Sequence, residues 1–267
     1  MSPTENLNKP AIVICHGSYH TPAPYGPFIQ SLKSHGFETV HCPQRPTCDL
    51  SRLNVGDDLL NPDFDLGPPA EGYPSDTGDV DVVIQVLDKL VNKDGKAVLL
   101  LAHSSGGWVA SQAAIPEYQL KARQSRGEKG GLIGIFYSGA LVVPVGESKH
   151  GHDGLGTPVN APYYMFNGVA PEEALKWAKT LTASPVMHAK LTNDAYSALP
   201  CAYLVLDDDK SLPREYQEGM IALHSQQGNV FSVYHAPSGH SPHLSWTMGL
   251  VEKVEEFTRN LLIDISI

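Results

Sequence analysis

Residues 98 to 107 read Val98-Leu99-Leu100-Leu101-Ala102-His103-Ser104-Ser105-Gly106-Gly107. An apolar run ends on a turn in which small residues, Ala102 and Gly106, stand two positions to either side of Ser104. A helical pattern follows. This is the form of a nucleophile elbow, with Ala102 in the place of the first glycine of G-x-S-x-G. A buried strand, a tight turn and a helix lift a serine hydroxyl clear of a sheet. The same turn aims the next backbone N–H, that of Ser105, at the spot where an oxyanion would form. Small residues are required at 102 and 106 because strand and helix backbones approach closely there.

Outward from the turn, apolar runs alternate with helical patterns. Strands are predicted over Ala11–Cys15, Glu38–Cys42, Ala97–Ala102, Leu132–Tyr137, Cys201–Leu206 and Val230–His235. They are short, continuous and rich in Val, Ile and Leu, as strands buried on both faces of a parallel sheet must be. Helices are predicted near residues 27–35, 79–92, 105–120, 213–227 and 242–262. The last has Ser241 as a candidate cap and Pro242 at the first helical position. The alternation predicts an α/β fold, a mostly parallel sheet of about six strands flanked by helices. Two stretches interrupt it. Residues 43–78 carry Pro43, Pro46, Pro62, Pro68, Pro69 and Pro74, and an irregular segment of that length is often functional. Residues 144–200 form a larger insertion with a helical run from Pro171 to Lys179. It lies between strands whose C-terminal ends should flank a site. Residues 1–143 and 201–267 are therefore expected to form the core, and residues 144–200 a cap.

The 267 residues are enough to bury a full-sized core. The formal net charge of −10 disfavours nucleic acid and anionic membrane surfaces, and no Lys/Arg cluster offsets it. No apolar stretch reaches the roughly 18 residues of a membrane span. The polar start, residues 1–10, lacks a signal-peptide core. Cys15, Cys42, Cys48 and Cys201 have no metal-ligand spacing and are read as free thiols in a reducing compartment. A cytoplasmic protein is expected. His150 and His152 form only a His-x-His pair with no further ligand, so no metal site is expected, and the motifs ask for no cofactor.

A serine nucleophile needs a base, and the base needs an orienting carboxylate. The strand Tyr203–Leu206 runs into Asp207-Asp208-Asp209-Lys210-Ser211-Leu212-Pro213, and the strand ending at His235 runs into Ala236-Pro237-Ser238-Gly239-His240-Ser241-Pro242-His243. The order Ser, Asp, His is the one this kind of strand-and-helix fold uses. Of the histidines, His240 follows a glycine on a loop. His235 is still within the strand, and His243 falls in the first helical turn. His16 and His103 are read as structural, their rings bonding to backbone. Alternation along an extended segment lets Asp207 and Asp209 share a face, opposite Asp208.

The chain resembles the α/β-hydrolase superfamily, and within it the small group of methylesterase-like and hydroxynitrile-lyase-like proteins. Ile12 to Ser18 is similar to the family's first strand and His-Gly oxyanion loop, and Ala102 to Gly107 to its elbow. Tyr203 to Pro213 is similar to its Asp-x-Asp…Leu-Pro segment, and Ser238 to His240 to its histidine loop. These features span nearly the whole chain. The resemblance implies an α/β-hydrolase fold with Ser104 as nucleophile and His240 as base. It implies Asp209 as the acid, with Asp207 second, and an oxyanion hole from the N–H groups of Ser18 and Ser105, Tyr19 being the alternative to Ser18. Tyr19, Trp108, Tyr137 and Trp177 are candidates to line a pocket.

The expected activity is hydrolysis of a small ester, lactone or thioester through an acyl-enzyme, on a small-molecule substrate of hydrophobic or aromatic character. A lyase, or a cyclase or elimination catalyst of a biosynthetic pathway, on the same residues is the alternative. A ligand receptor that does no chemistry is the third reading. The resemblance also tilts the choice. Hydroxynitrile lyases of the group carry a lysine after the histidine and a threonine in the first loop, where this chain has Ser241 and Gly17.

Overall fold

Strands buried on both faces need helices on both faces, and the chain supplies them in alternation. The computed structural model describes residues 9–148 and 154–265. In chain order the elements are β1 (Ala11–Cys15), α1 (Gly26–Ser34), β2 (Val40–His41), α2 (Asp76–Leu87), β3 (Ala97–His103), α3 (Gly106–Ala113), α4 (Leu120–Gln124) and β4 (Gly131–Ser138). Then come β5 (Leu155–Gly156), α5 (Ala161–Tyr164), α6 (Pro171–Ala178), β6 (Ser184–Pro185) and α7 (Ala195–Ala198). The chain closes with β7 (Cys201–Leu206), α8 (Arg214–Gln226), β8 (Phe231–Ala236), α9 (Pro242–Ser245) and α10 (Thr247–Ile265).

The sheet has six strands in the order β2-β1-β3-β4-β7-β8. Every pairing in it is parallel. Alternate residues divide between two cores, as the strand period requires. Val13, Leu100, Ala102, Ile135, Tyr137 and Tyr203 face Val83 and Leu87 of α2 and Val109, Ala110 and Ala113 of α3. Ile12, Ile14, Leu99, Leu101, Phe136 and Leu204 face Phe28 and Leu32 of α1 and Leu250, Val254, Phe257 and Leu261 of α10. Burying each such side chain is worth about 2 kcal/mol relative to leaving it exposed. Cys15, Cys48 and Cys201 are free and buried within this framework, and Cys42 is free and half-buried.

From β1 the chain passes outward to β2 and then returns to the other side of β1 as β3. That reversal opens a crevice between β1 and β3 at the C-terminal edge, where ligands bind in open α/β sheets. The elbow after β3 and the loop after β1 both lie at this edge.

The structure departs from the sequence reading in several elements. Expected residues 105–120 end as a helix at Ala113, and α4 starts separately at Leu120. Pro116 forces the break, since a proline denies helix geometry to the residue before it. Expected residues 79–92 begin three residues earlier, at Asp76, with Ser75 capping Gly78 N–H, and finish in a π-helical turn over Asp88–Lys93. Expected residues 242–262 are two helices, divided at Trp246. Ser241 precedes Pro242 but caps nothing; its hydroxyl donates to the carbonyl of Met165 at 2.6 Å. Among the described residues no helix is long and apolar enough to cross a membrane.

Candidate active site

Ser104 sits at φ 53°, the left-handed region. A non-glycine residue there is strained, and the strain is held by two hydrogen bonds on its own carbonyl. Gly107 N–H donates to it at 3.0 Å and Leu141 N–H at 2.8 Å. A methyl group at Gly106 would lie 2.0 Å from the carbonyl oxygen of Cys15. The small residue read from the sequence is therefore a direct consequence of α3 crossing the end of β1. Around the elbow His103 and Ser105 are buried, whereas Ser104 is half-buried and opens to a cavity.

That cavity has a volume of about 490 Å³. Ser104 and His240 both line it, and Tyr19, Leu141, Tyr164 and Met165 are among the apolar and aromatic walls. His240 is 2% exposed, and its Nδ1 lies 2.8 Å from Asp209 Oδ2. The other oxygen of Asp209 accepts from the N–H groups of Ser211 at 2.8 Å and Leu212 at 2.9 Å. The carboxylate is thus fully engaged and has little freedom to turn. Asp207, the second candidate acid, points elsewhere and bonds His235 at 3.0 Å and Arg214 at 3.2 Å. Asp208 is exposed.

Ser18 and Ser105 are brought together from the loops after β1 and β3, the Ser18 hydroxyl donating to Ser105 Oγ at 2.8 Å. Tyr19, at φ 66°, lines the cavity beside Ser18. The other three pocket candidates do not reach it. Trp108 and Tyr137 are buried in the core on the α2–α3 side of the sheet, because the strand and helix periods turn them inward. The Tyr137 hydroxyl is 2.8 Å from Ser111 Oγ. Trp177 packs against the cluster of Met165, Phe166 and Ala174 and is not itself among the residues that line the cavity. His150 and His152 lie outside the described residues. Among the described residues no group of three or more His, Cys, Asp or Glu side chains is placed to hold a metal ion.

His16 and His103 bond backbone carbonyls. His16 Nδ1 donates to Gly17 at 3.0 Å, and His103 Nε2 donates to the carbonyl of His240 at 2.7 Å. His103 Nδ1 then accepts from the Tyr25 hydroxyl at 2.6 Å, and that hydroxyl accepts the Gly17 N–H at 3.3 Å. One neutral imidazole therefore ties the first loop to the loop carrying His240. Burial holds both His16 and His103 well below the ordinary imidazole range, and the nearby Arg45 cation adds to this for His16.

Two residues at this site escaped the sequence reading. Arg45, from the proline-rich stretch, is buried and donates to Ser105 Oγ at 2.9 Å and to the carbonyl of His16 at 2.8 Å. Asn167, from the insertion, accepts the N–H of His240 at 3.3 Å and donates to the carbonyl of Asp208 at 2.8 Å. The signal available for Arg45 was its place just after a strand, since every loop leaving a parallel strand emerges at the C-terminal edge. Nothing local marked Asn167.

Comparison with known proteins bears on the fold and the family. The family model described as the alpha/beta hydrolase family matches residues 12–252. The alpha/beta hydrolase nvfD of Aspergillus novofumigatus is 27% identical over 258 residues, covering 89% of this chain and 92% of that protein. Among solved structures, the methylesterase MES16 from Arabidopsis superposes with a TM-score of 0.61 at 17% identity, over 92% of this chain and 97% of the other. Tomato methylketone synthase I superposes with a TM-score of 0.64 at 14% identity, over 96% of this chain and 100% of the other. At such identities the structural likeness speaks for the fold. The sequence match over residues 12–252 goes further, and the chain belongs to the alpha/beta hydrolase family, as an enzyme of that type.

Proposed function

We propose that this chain is a serine-dependent hydrolase of a small ester, lactone or thioester. The observation that carries the reading is a strained Ser104 opening onto the same cavity as His240, whose ring is tethered to a buried Asp209. His240 Nδ1–H donates to Asp209, which leaves Nε2 as the basic nitrogen. Nε2 takes the proton of Ser104 as Oγ attacks the acyl carbon, and the carbonyl oxygen becomes an oxyanion. The N–H groups of Ser18 and Ser105 receive it, each donor being worth about 3 kcal/mol in enzymes where one has been removed. His240 returns the proton to the leaving alcohol or thiol, and water releases the acyl group by the same steps in reverse order.

The insertion acts as a cap in this reading, since Thr157, Pro158, Val159, Tyr164 and Met165 close one side of the cavity. The apolar and aromatic part of the wall favours a mostly apolar substrate, and Lys210 adds a cation to the lining. Tyr19 is the one proposed pocket aromatic that stays in this role. Hydrolysis is preferred over cyanohydrin cleavage because Ser241, and not a lysine, follows His240, its hydroxyl engaged with Met165; the lysine that lines the cavity, Lys210, comes from the loop after β7. An alkyl fluorophosphonate should label wild-type protein at Ser104 and fail to label Ser104→Ala. A folded wild-type protein that takes no label would sink the proposal.

A further inference from the structure

The elbow is held from behind by a buried guanidinium. Arg45 is 1% exposed, and Asp79, in the first turn of α2, is 0% exposed. Arg45 Nε donates to Asp79 Oδ2 at 2.8 Å, with Nη2 of the same guanidinium 2.7 Å from that oxygen. Asp79 also accepts from the N–H of Thr47 on Oδ1 at 3.0 Å and from its hydroxyl on Oδ2 at 2.7 Å, so both carboxylate oxygens are engaged. Burial opposes the charge on Arg45, and its surroundings, Asp79 foremost, more than restore it, so the group stays cationic. The remaining nitrogen, Nη1, is shared between Ser105 Oγ at 2.9 Å and the carbonyl of His16 at 2.8 Å. Ser105 Oγ also accepts from Ser18 Oγ at 2.8 Å.

We propose that Arg45 is a positioning residue that sets the oxyanion donors, acting through the side chain of Ser105. The inference rests on the serine-hydrolase reading of the site. Its logic is geometric. Ser18 and Ser105 come from different loops, and their backbone N–H groups can converge on one oxygen only if the loops keep a fixed separation. Ser105 Oγ is the junction, with the Ser18 hydroxyl on one side and the guanidinium on the other. The guanidinium also grips the β1 loop at His16. A planar fork with its bonds already directed gives up less freedom per contact than a flexible amine would. A buried ion pair is weak support for stability, because desolvation offsets much of the attraction. This pair is placed where fixed orientation is what catalysis needs, since donors set in place beforehand need no reorganisation as charge develops.

The test uses the full-length protein and the rate at which an alkyl fluorophosphonate phosphonylates Ser104, because that reaction also builds negative charge on an oxygen in the same hole. Ser105→Ala keeps the backbone N–H and removes only the junction. It should melt within a few degrees of wild type and lose about tenfold in the maximal labelling rate, with the half-saturating probe concentration unchanged; full removal of a donor costs about 10²–10³-fold. Arg45→Lys keeps the charge and loses the fork, and should fall between wild type and Ser105→Ala. A purely structural role would move the melting temperature and leave the labelling rate of the folded fraction alone. If Ser105→Ala, or folded Arg45→Lys, labels at the wild-type rate, the inference is overturned while the hydrolase reading stands. If wild-type protein does not label at all, both fall.

Discussion

Single residues at this site are held by contacts that make sharp demands. Asp209 and Asp207 stand two positions apart after β7, yet only Asp209 meets His240, at 2.8 Å; Asp207 is spent on His235 and Arg214 near the surface. Replacing Asp209 by Asn should hold His240 in the wrong tautomer and lower turnover of an ester substrate by about 10⁴-fold. Asp207→Asn removes only partly exposed pairs, so turnover should stay within about twofold. Comparable losses in the two variants would refute the assignment. Gly17 makes a second demand. A methyl group there would sit 2.9 Å from Ser104 Cβ and 3.4 Å from its Oγ, so Ser104 or the loop must give way. Displacing a reacting atom by about 1 Å costs roughly 10²-fold. Gly17→Ala should therefore lose about that much labelling rate with its far-ultraviolet circular dichroism unchanged, and a variant labelling like wild type would show that the loop yields freely.

The same close contacts govern the elements. Alanine in place of a helical glycine ordinarily stabilises by about 1 kcal/mol. Gly249 in the first turns of α10 reverses the sign, because its methyl would lie 2.1 Å from the Trp246 ring, which is half-buried against the α1–α10 core. Overpacking of this kind costs about 1–3 kcal/mol. Gly249→Ala should lower the urea midpoint at unchanged slope, and a raised midpoint would refute the clash with Trp246, the residue at the break between α9 and α10. That break shows where the sequence stops being legible. Its apolar pattern runs straight from 242 to 262, whereas the backbone leaves helical geometry at Trp246, with φ −144° and ψ 38°. By contrast Ala11–Cys15 and Cys201–Leu206 were readable to the residue, because a strand buried on both faces is bounded by the first polar or turn residue on each side. Ser104 and His240 could be singled out for a related reason, each standing just beyond a strand, whereas the strand end left Asp207 and Asp209 open and only the family resemblance put Asp209 first. Arg45 also stands just beyond a strand, but neither it nor Asn167 lies in a motif that would single it out. Their partners are backbone and side-chain atoms on other loops, and the meeting is made by tertiary packing rather than by local pattern.

At the scale of the whole molecule, the site is built around buried, uncharged histidines, and this couples folding to pH. His20 is packed between Tyr25, His103 and His243, and its Nε2 has no partner among the described residues. Its Nδ1 donates to the carbonyl of Ser18 at 2.9 Å, so a neutral ring is the form that fits. Burial lowers its pKa from 6.5 to about 4, and also holds His16, His103 and His243 well below the ordinary range. In the unfolded chain these rings take up protons near pH 6.5, whereas in the folded chain they resist. Folded pKa values below unfolded ones give stability that is complete above pH 6.5 and is lost as the pH falls through the folded values. His20 alone contributes about 3 kcal/mol over the window from pH 6.5 to about 4. Chemical denaturation at a series of pH values should show stability declining from pH 7 toward pH 4.5. Carboxylates add to that decline, so the histidine share is isolated by His20→Asn, whose amide can still donate to Ser18 but takes up no proton. The variant should show a slope shallower by about one proton between pH 6.5 and 4. Identical slopes in the two proteins would mean that His20 is charged or solvated in the native state, and the tightly packed, neutral histidine cluster behind Ser104 would have to be abandoned.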